Sequence, residues 1–317
     1  MLHYIWVTDM KKNNFKGSLV LLLAAVIWGL AFVAQDIANA EGIEPFTLNA
    51  VRSFVGSFAL IPVAAVVSKK KKETLVPKTK ADSKKLLITG TVCGVFLCVA
   101  VNFQQFGIAA YPADTAVSAR AGFLTAMYIL FVPILEIFMR KKPSVTVWAG
   151  VFIAVAGLYL LCFSEGISGI YAGDVVMLVC AVSFSCHILS VDTLGSKVDS
   201  VKLSCIQFFV CGVLSTVLMF IFEKPSLSSI LSAALPILYL GVMSSGVAYT
   251  LQIVGQQMCD NPTLASIAMS FESVFALIGG ALFGDKMTGR EIIGCIIMFA
   301  AIVLAQLPSP KIRKLKS

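Results

Sequence analysis

Ten apolar runs of about 20 residues follow one another along this chain, at 18–37, 45–67, 86–110, 115–138, 144–163, 172–191, 201–222, 231–255, 262–284 and 288–307. A helix of that length spans roughly 30 Å of hydrocarbon. Charged residues make up only 13% of the chain and the mean hydropathy is +0.90, whereas a soluble domain carries about a quarter charged residues. Nearly all of those charges fall in the breaks between runs, and the breaks are too short to fold as domains. The expected fold class is therefore an all-α integral membrane protein of ten transmembrane helices.

The runs also repeat. Residues 17–36 lie over 173–192, with Gly17/Gly173, Leu22/Leu178, Ala25/Ala181, Val26/Val182 and Asp36/Asp192 identical. Leu48/Leu203, Phe54/Phe209 and Val55/Val210 continue the match. Further on the offset falls to 144, pairing Ala121/Ala265, Phe131/Phe275, Ile134/Ile278, Gly150/Gly294, Ile153/Ile297 and Ala156/Ala300. Each unit holds five runs, and an odd number makes the two units enter the bilayer in opposite senses. Inverted repeats are the usual plan of secondary transporters. The expected organisation is a tail over 1–17, repeats over 18–163 and 172–307, and a basic tail over 308–317.

Of the 25 Lys and Arg residues, 19 lie in the two tails and in the breaks 68–85, 139–143 and 192–200. The positive-inside rule then puts both termini in the cytoplasm, and an even count of spans agrees. The net charge of +8 is thus topogenic and excludes no membrane reading. Lys69–Lys72 with Lys78, Lys80, Lys84 and Lys85 reads as a contact for anionic lipid rather than nucleic acid. The nine cysteines form no CxxC or Cys/His cluster, so no metal or other cofactor is expected. Lys11, Lys12 and Lys16 before an apolar run imitate a signal peptide, but the run is long for one and pairs with 173–192. It reads as a retained first helix. Met10 before Lys11 and Lys12 resembles a natural start, leaving 1–9 as an extension.

A charge at mid-bilayer costs about 2.5–3.5 kcal/mol on insertion scales and so faces a partner or a wet cavity. Arg52 in the second run and Arg120 in the fourth would lie roughly 9–11 Å below the outer face at 1.5 Å per residue. Asn102 and Gln105 on the third run, with Gln35 and Asp36 ending the first, approach the same level. Gln105 aligns with Gln252, which shares a stripe with Tyr249 and Gln256. Trp28 and Phe184 occupy matched positions. The candidate substrate-binding residues are therefore Arg52, Arg120, Asn102, Gln105, Trp28, Tyr249 and Gln252. Glu272, deep in the ninth run, is the candidate for proton coupling, because burial disfavours its charged form. Each has a structural alternative. Either arginine could pair with Asp36, the amides could join helices, His187 could satisfy a neighbour, and Glu272 could bond a Ser or Tyr. Gly90-xxx-Gly94 and Gly280-xxx-Gly284 mark close helix packing.

Five stretches, LLLAAVIWGLAFVAQ (21–35), NAVRSFVGSFALIP (49–62), NFQQFGIAAYPADTAVSARAGFLTAMYILFVPIL (102–135), WAGVFIAVAGLYLL (148–161) and the long segment 247–304, carry a resemblance. Their order and spacing resemble the drug/metabolite transporter superfamily, specifically its EamA-type bacterial members. The resemblance implies ten helices in two inverted repeats, with spans 1–4 and 6–9 around a central cavity and spans 5 and 10 outside. It implies export or exchange of small metabolites, and it gives Arg52 and Glu272 recurrent charged positions. Asp285 matches an acidic residue that often follows the ninth span. A proline common in that family near Ser273 is absent here, which puts the helix geometry at Glu272 in question.

The leading reading is a secondary transporter of amino acids or organic anions working by alternating access, as a monomer or homodimer. Its partners are the small-molecule substrate and membrane lipid, with protons as coupling ion and no nucleic acid. A flippase for a lipid or lipid-linked sugar is the alternative. An embedded enzyme would need clustered acids or histidines; the chain has two histidines and no Walker A motif.

Overall fold

The computed structural model describes residues 13–112, 117–140, 143–162, 171–282 and 289–306. These form helices α1 (Asn14–Ala40), α2 (Pro45–Lys70), α3 (Lys80–Ala109), α4 (Val117–Ala126 with Tyr128–Phe138), α5 (Val145–Cys162), α6 (Ala172–Gly195) and α7 (Ser200–Phe222). A short helix, Leu227–Ser232, precedes α8 (Ala234–Met258). Then come α9 (Pro262–Met269 with Glu272–Leu282) and α10 (Gly289–Gln306). No strand occurs among the described residues. Eight helices, α1–α4 and α6–α9, are long and apolar enough to cross a membrane. In α5 and α10 the described apolar stretches are shorter, Val145–Gly157 and Ile292–Ala301.

Helix starts follow capping chemistry. The Asn13 and Thr79 side chains accept from the backbone N–H groups of Lys16 and Asp82. Asn261 accepts from Thr263 and Leu264, with Pro262 in the first turn. Each bond satisfies a donor that an unended helix leaves open, and proline is tolerated there because its missing N–H would have had no helical partner.

The helices pack in a crossed pattern: α1 on α8 and α9, α6 on α3 and α4, α2 on α7 and α8, α3 on α7, α4 on α9, and α5 on α10. Gly90 and Gly94 admit α7, since a Cβ at either would lie 2.4 Å from Ile206 or 2.8 Å from the Gln207 carbonyl oxygen. Gly284, the partner glycine of Gly280, lies outside the described residues.

Two stretches depart from a plain α-helix. Residues Tyr239–Ala248 of α8 are wound as a π-helix, a widening often found at functional sites. Its Gly241 lets α2 approach so closely that a Cβ there would lie 3.1 Å from the Arg52 carbonyl oxygen. In α9 the helix is interrupted at Ser270–Phe271 even without a proline near Ser273, and Glu272 begins its second half. The Ser270 and Ser273 hydroxyls turn back onto the carbonyls of Ile267 and Ser270 at 2.8 and 2.7 Å, the kind of local bond that competes with regular helix.

Short connections fix two ends of the bundle. One is rich in lysine, where Lys71 after α2 meets Asp199 before α7 at 2.8 Å. At the far end, Glu223 after α7 accepts from the Phe46 and Thr47 backbone N–H groups at 2.7 and 2.8 Å. That carboxylate stands at the start of α2, where the helix dipole favours negative charge.

Candidate functional site

Midway between those ends lies a cavity with about 30 Å³ open to a water-sized sphere, enough for two or three waters. Its wall comes from both halves: Trp28, Phe32 and Gln35 on α1, Arg52 on α2, Gln104 on α3, Thr125 and Tyr128 on α4, Phe184 and Ile188 on α6, Ser244, Tyr249 and Gln252 on α8, Met269 and Glu272 on α9. None of the lining residues comes from α5, α7 or α10. Aromatic contacts stiffen one side. Trp28 meets Tyr249 edge-on at 4.8 Å, and Phe208 of α7 backs Tyr249 at 5.1 Å.

The polar groups of this wall are under-used. Arg52 is 3% exposed and donates one hydrogen bond, from Nη1 to Gln35 Oε1 at 3.3 Å, while its Nε has no partner. Glu272 is 4% exposed. Trp28 Nε1 and Gln252 Oε1 are likewise buried and without a hydrogen-bond partner, whereas the Tyr128 hydroxyl and the Glu272 carboxyl face each other across the wall and interact. Buried polar atoms are nearly always satisfied, and leaving one unmade costs about 1–3 kcal/mol. Three such atoms, on Arg52, Trp28 and Gln252, belong to residues of this one wall, beside the buried Glu272.

A single family description matches two separate stretches of the sequence, 15–163 and 171–307. The chain belongs to the EamA-like transporter family. It is similar to an uncharacterized transporter of Archaeoglobus fulgidus, 26% identical over 92% of this chain and 86% of that one. It is also similar to the uncharacterized transporter YdfC of Bacillus subtilis, 22% identical over 96% of each. One protein crystal structure shares the fold, with a TM-score of 0.71 and 18% identity over 92% of this chain and 96% of that one. The apolar helices and the family together make this an integral membrane transporter, and its relatives are named for transport rather than catalysis.

In this EamA-like transporter the residues singled out from sequence divide. Trp28, Arg52, Tyr249, Gln252 and Glu272 line the cavity, as do Gln35 and Phe184. Asn102, Gln105 and Arg120 do not. Asn102 is the hub of an α2–α3–α7 junction: it accepts from Asn49 at 3.0 Å and donates to the Cys98 carbonyl at 2.8 Å and to Ser215 at 3.0 Å. Gln105 is wholly buried with neither amide atom partnered. Its neighbour Gln104 faces the cavity and donates to Thr125 at 3.1 Å. It is therefore Gln104, not Gln105, that shares the cavity wall with Gln252.

Arg120 pairs with Asp174, not with Asp36. Its Nε and Nη2 reach the two carboxylate oxygens at 2.7 and 2.6 Å. His187 bonds Gln207 at 3.1 Å, and Gln256 donates to the Ile188 carbonyl at 3.0 Å. Both therefore join helices. Asp285 lies outside the described residues. Thr125, Tyr128 and Ser244 went unrecognised in the sequence because hydroxyls are common in apolar helices. Tyr128 had a signal all the same: it sits 144 residues before Glu272, at the offset of the later repeat.

Proposed function

We propose that this transporter moves small zwitterionic or anionic metabolites, amino acids or organic acids, by alternating access around the Arg52–Glu272 cavity. Arg52 receives the substrate carboxylate through charge-assisted hydrogen bonds. Trp28, Tyr249 and Phe184 hold its apolar part, and Glu272 takes up and releases a proton or faces a substrate ammonium. The observation that carries the reading is the buried Arg52 guanidinium in the cavity wall, with one 3.3 Å bond to a neutral amide and an unpartnered Nε, beside unpartnered atoms of Trp28 and Gln252.

Ten spans in two inverted repeats, both termini cytoplasmic in a bacterial plasma membrane, are the frame of this proposal. The packing supports a twofold relation. Exchanging each helix for its counterpart five places on turns α3·α7 into α8·α2, α3·α6 into α8·α1 and α1·α9 into α6·α4, and all of these contacts occur. The interruptions support it too, since Met127 in α4 and Phe271 in α9 stand 144 residues apart. Each break is followed by a cavity residue, Tyr128 or Glu272. Discontinuous helices at a midplane site are the usual substrate-binding device of such folds.

The test is counterflow into liposomes holding the purified protein, with labelled amino acids and organic acids at two pH values. The expected result is uptake of at least one of these classes that Arg52→Gln abolishes. Uptake no faster than in empty liposomes across the panel, or uptake indifferent to Arg52→Gln, rejects the reading.

A further inference from the structure

The two mouths of the pathway are sealed by the same backbone device but locked by different chemistry. At the far end Gly107 of α3 and Gly173 of α6 touch; a Cβ on Gly173 would lie 2.8 Å from the Gly107 carbonyl oxygen. At the lysine-rich end Gly255 of α8 and Gly17 of α1 touch, with 3.0 Å for a Cβ on Gly17 against the Gly255 carbonyl oxygen. The two glycine pairs are repeat mates, Gly17 with Gly173 and Gly107 with Gly255, the latter sharing the offset of 148 that relates Gln104 to Gln252. Both seams are closed together, which fits the small central cavity.

Across the far seam the Asp174 carboxylate collects four donors: Arg120 Nε at 2.7 Å, Arg120 Nη2 at 2.6 Å, the Tyr111 hydroxyl at 2.9 Å and the Tyr171 backbone N–H at 2.9 Å. The guanidinium carbon also stands 4.7 Å from the centre of the Tyr171 ring and 5.8 Å from that of Tyr111. This one knot ties α3, α4 and α6. At the lysine-rich seam the counterpart positions of Asp174, Arg120 and Tyr111 are Ser18, Leu264 and Cys259, which cannot repeat that ion pair. That seam is joined by the Asn13 N–H on the Met258 carbonyl at 2.7 Å and by two bonds between Asn14 and Asp260, at 2.8 and 3.2 Å, on exposed groups.

We propose that Arg120, Asp174 and Tyr111 are the lock of the far-end gate, positioning residues that set which mouth opens more readily and do not bind substrate. A bidentate charge-assisted bond present in closed states and broken in the far-open state biases the equilibrium against far-end opening. Among the described residues the glycine seam at the other mouth holds no ion pair, and the buried contact at that end, the Thr263 hydroxyl on the Glu136 carboxylate, joins α9 to α4 instead. The lock assumes the alternating-access reading, but it requires nothing about what occupies the cavity.

Hydrogen exchange on the full chain in lipid nanodiscs tests this without substrate. Asp174→Asn and Arg120→Gln should speed amide exchange over 104–112 and 171–176 by about tenfold or more, the factor that loss of one charge-assisted bond corresponds to. Tyr111→Phe, which keeps the ring, should do so by less. Exchange over 14–20 and 254–260 should stay as in the parent protein. Unchanged far-end exchange in Asp174→Asn and Tyr111→Phe overturns the proposal, as does an equal rise at both mouths, which would signal general loosening. A protein that transports none of the panel yet shows the far-end effect loses the substrate reading and keeps the gate.

Discussion

Arg120 and Arg52 both lie within the apolar helices, and the protein surrounds them differently. Arg120 spends two short hydrogen bonds on one carboxylate and rests against two tyrosine rings. Arg52, more deeply buried, has a single 3.3 Å bond to a neutral amide and an Nε with no partner. A buried guanidinium without a counter-ion is costly, and the cost persists only where something else recovers it. The contrast separates a group that has its anion within the fold from one that, in the reading proposed above, takes its anion from the substrate. Of the two arginines for which the sequence left a structural pairing open, Arg120 is the one with a carboxylate partner, Asp174 rather than Asp36.

Substituting the two arginines should therefore give different kinds of loss. Arg52→Gln should lower transport by about 100-fold through weaker substrate binding, the scale of a lost charge-assisted hydrogen bond with its partner left buried. Binding of the substrate to the detergent-purified variant, by calorimetry, should fall in parallel. Arg120→Gln should leave the intrinsic contacts to substrate intact and change transport through the gate. If both variants lose binding equally, the contrast between the arginines is wrong.

Glu272→Gln comes next. It keeps the shape of the cavity wall and removes the only carboxylate among the lining residues. Transport driven by an imposed pH gradient should lose its gradient dependence, while exchange of substrate for substrate continues within about threefold, as expected of a group with mainly an electrostatic part. Retained gradient dependence would move proton coupling elsewhere. A smaller effect should separate two adjacent amides. Gln104→Ala should raise the half-saturating substrate concentration by about tenfold, the scale of one hydrogen bond. Gln105→Ala should instead alter thermal stability and leave that concentration unchanged.

That last pair shows where sequence reading stops. Ten apolar runs with charges between them announce helices without tertiary information, because hydrocarbon thickness alone dictates their length. Arg52, Arg120 and Glu272 stood out because a charge in such a run needs a partner or a wet cavity. Gln104 and Gln105 are chemically identical, and only the rotation of α3 decides which one faces the cavity. An offset of 147 pairs Gln105 with Gln252 in the sequence, whereas Gln104 is the amide that lines the cavity. Asp174 was hidden for another reason. It lies at the start of a run, where a carboxylate is ordinary helix-end chemistry, and nothing local shows that Arg120, 54 residues earlier, would reach it.

The smallest expected effect uses the other ion pair, Lys71 with Asp199 at the lysine-rich end. It resembles the far-end pair in form, since each carboxylate stands at a helix start and also accepts backbone N–H groups. Asp199 takes those of Val201 and Lys202, both at 3.1 Å. It differs in location: it ties α2 to α7, and neither of the glycine seams lies between those helices. Burial pushes the Asp199 carboxyl up, but the hydrogen bond from Lys71 and the N–H of Lys202 outweigh it and hold the group below the usual carboxylate range. A lowered folded-state pKa means that the unfolded chain binds the proton first as pH falls. The stabilisation is therefore complete above about pH 4, the ordinary value for Asp, and is lost as pH drops through the folded-state value. Asp199→Ala should cost about 1 kcal/mol at neutral pH, mostly from the lost helix cap, with little from a partly exposed ion pair. Melting curves of parent and variant should converge below that pH, and transport per folded molecule should be unchanged. If Asp199→Ala instead speeds exchange at a glycine seam, the two ion pairs are not as different as their surroundings make them, and the division between gate and scaffold would have to be redrawn.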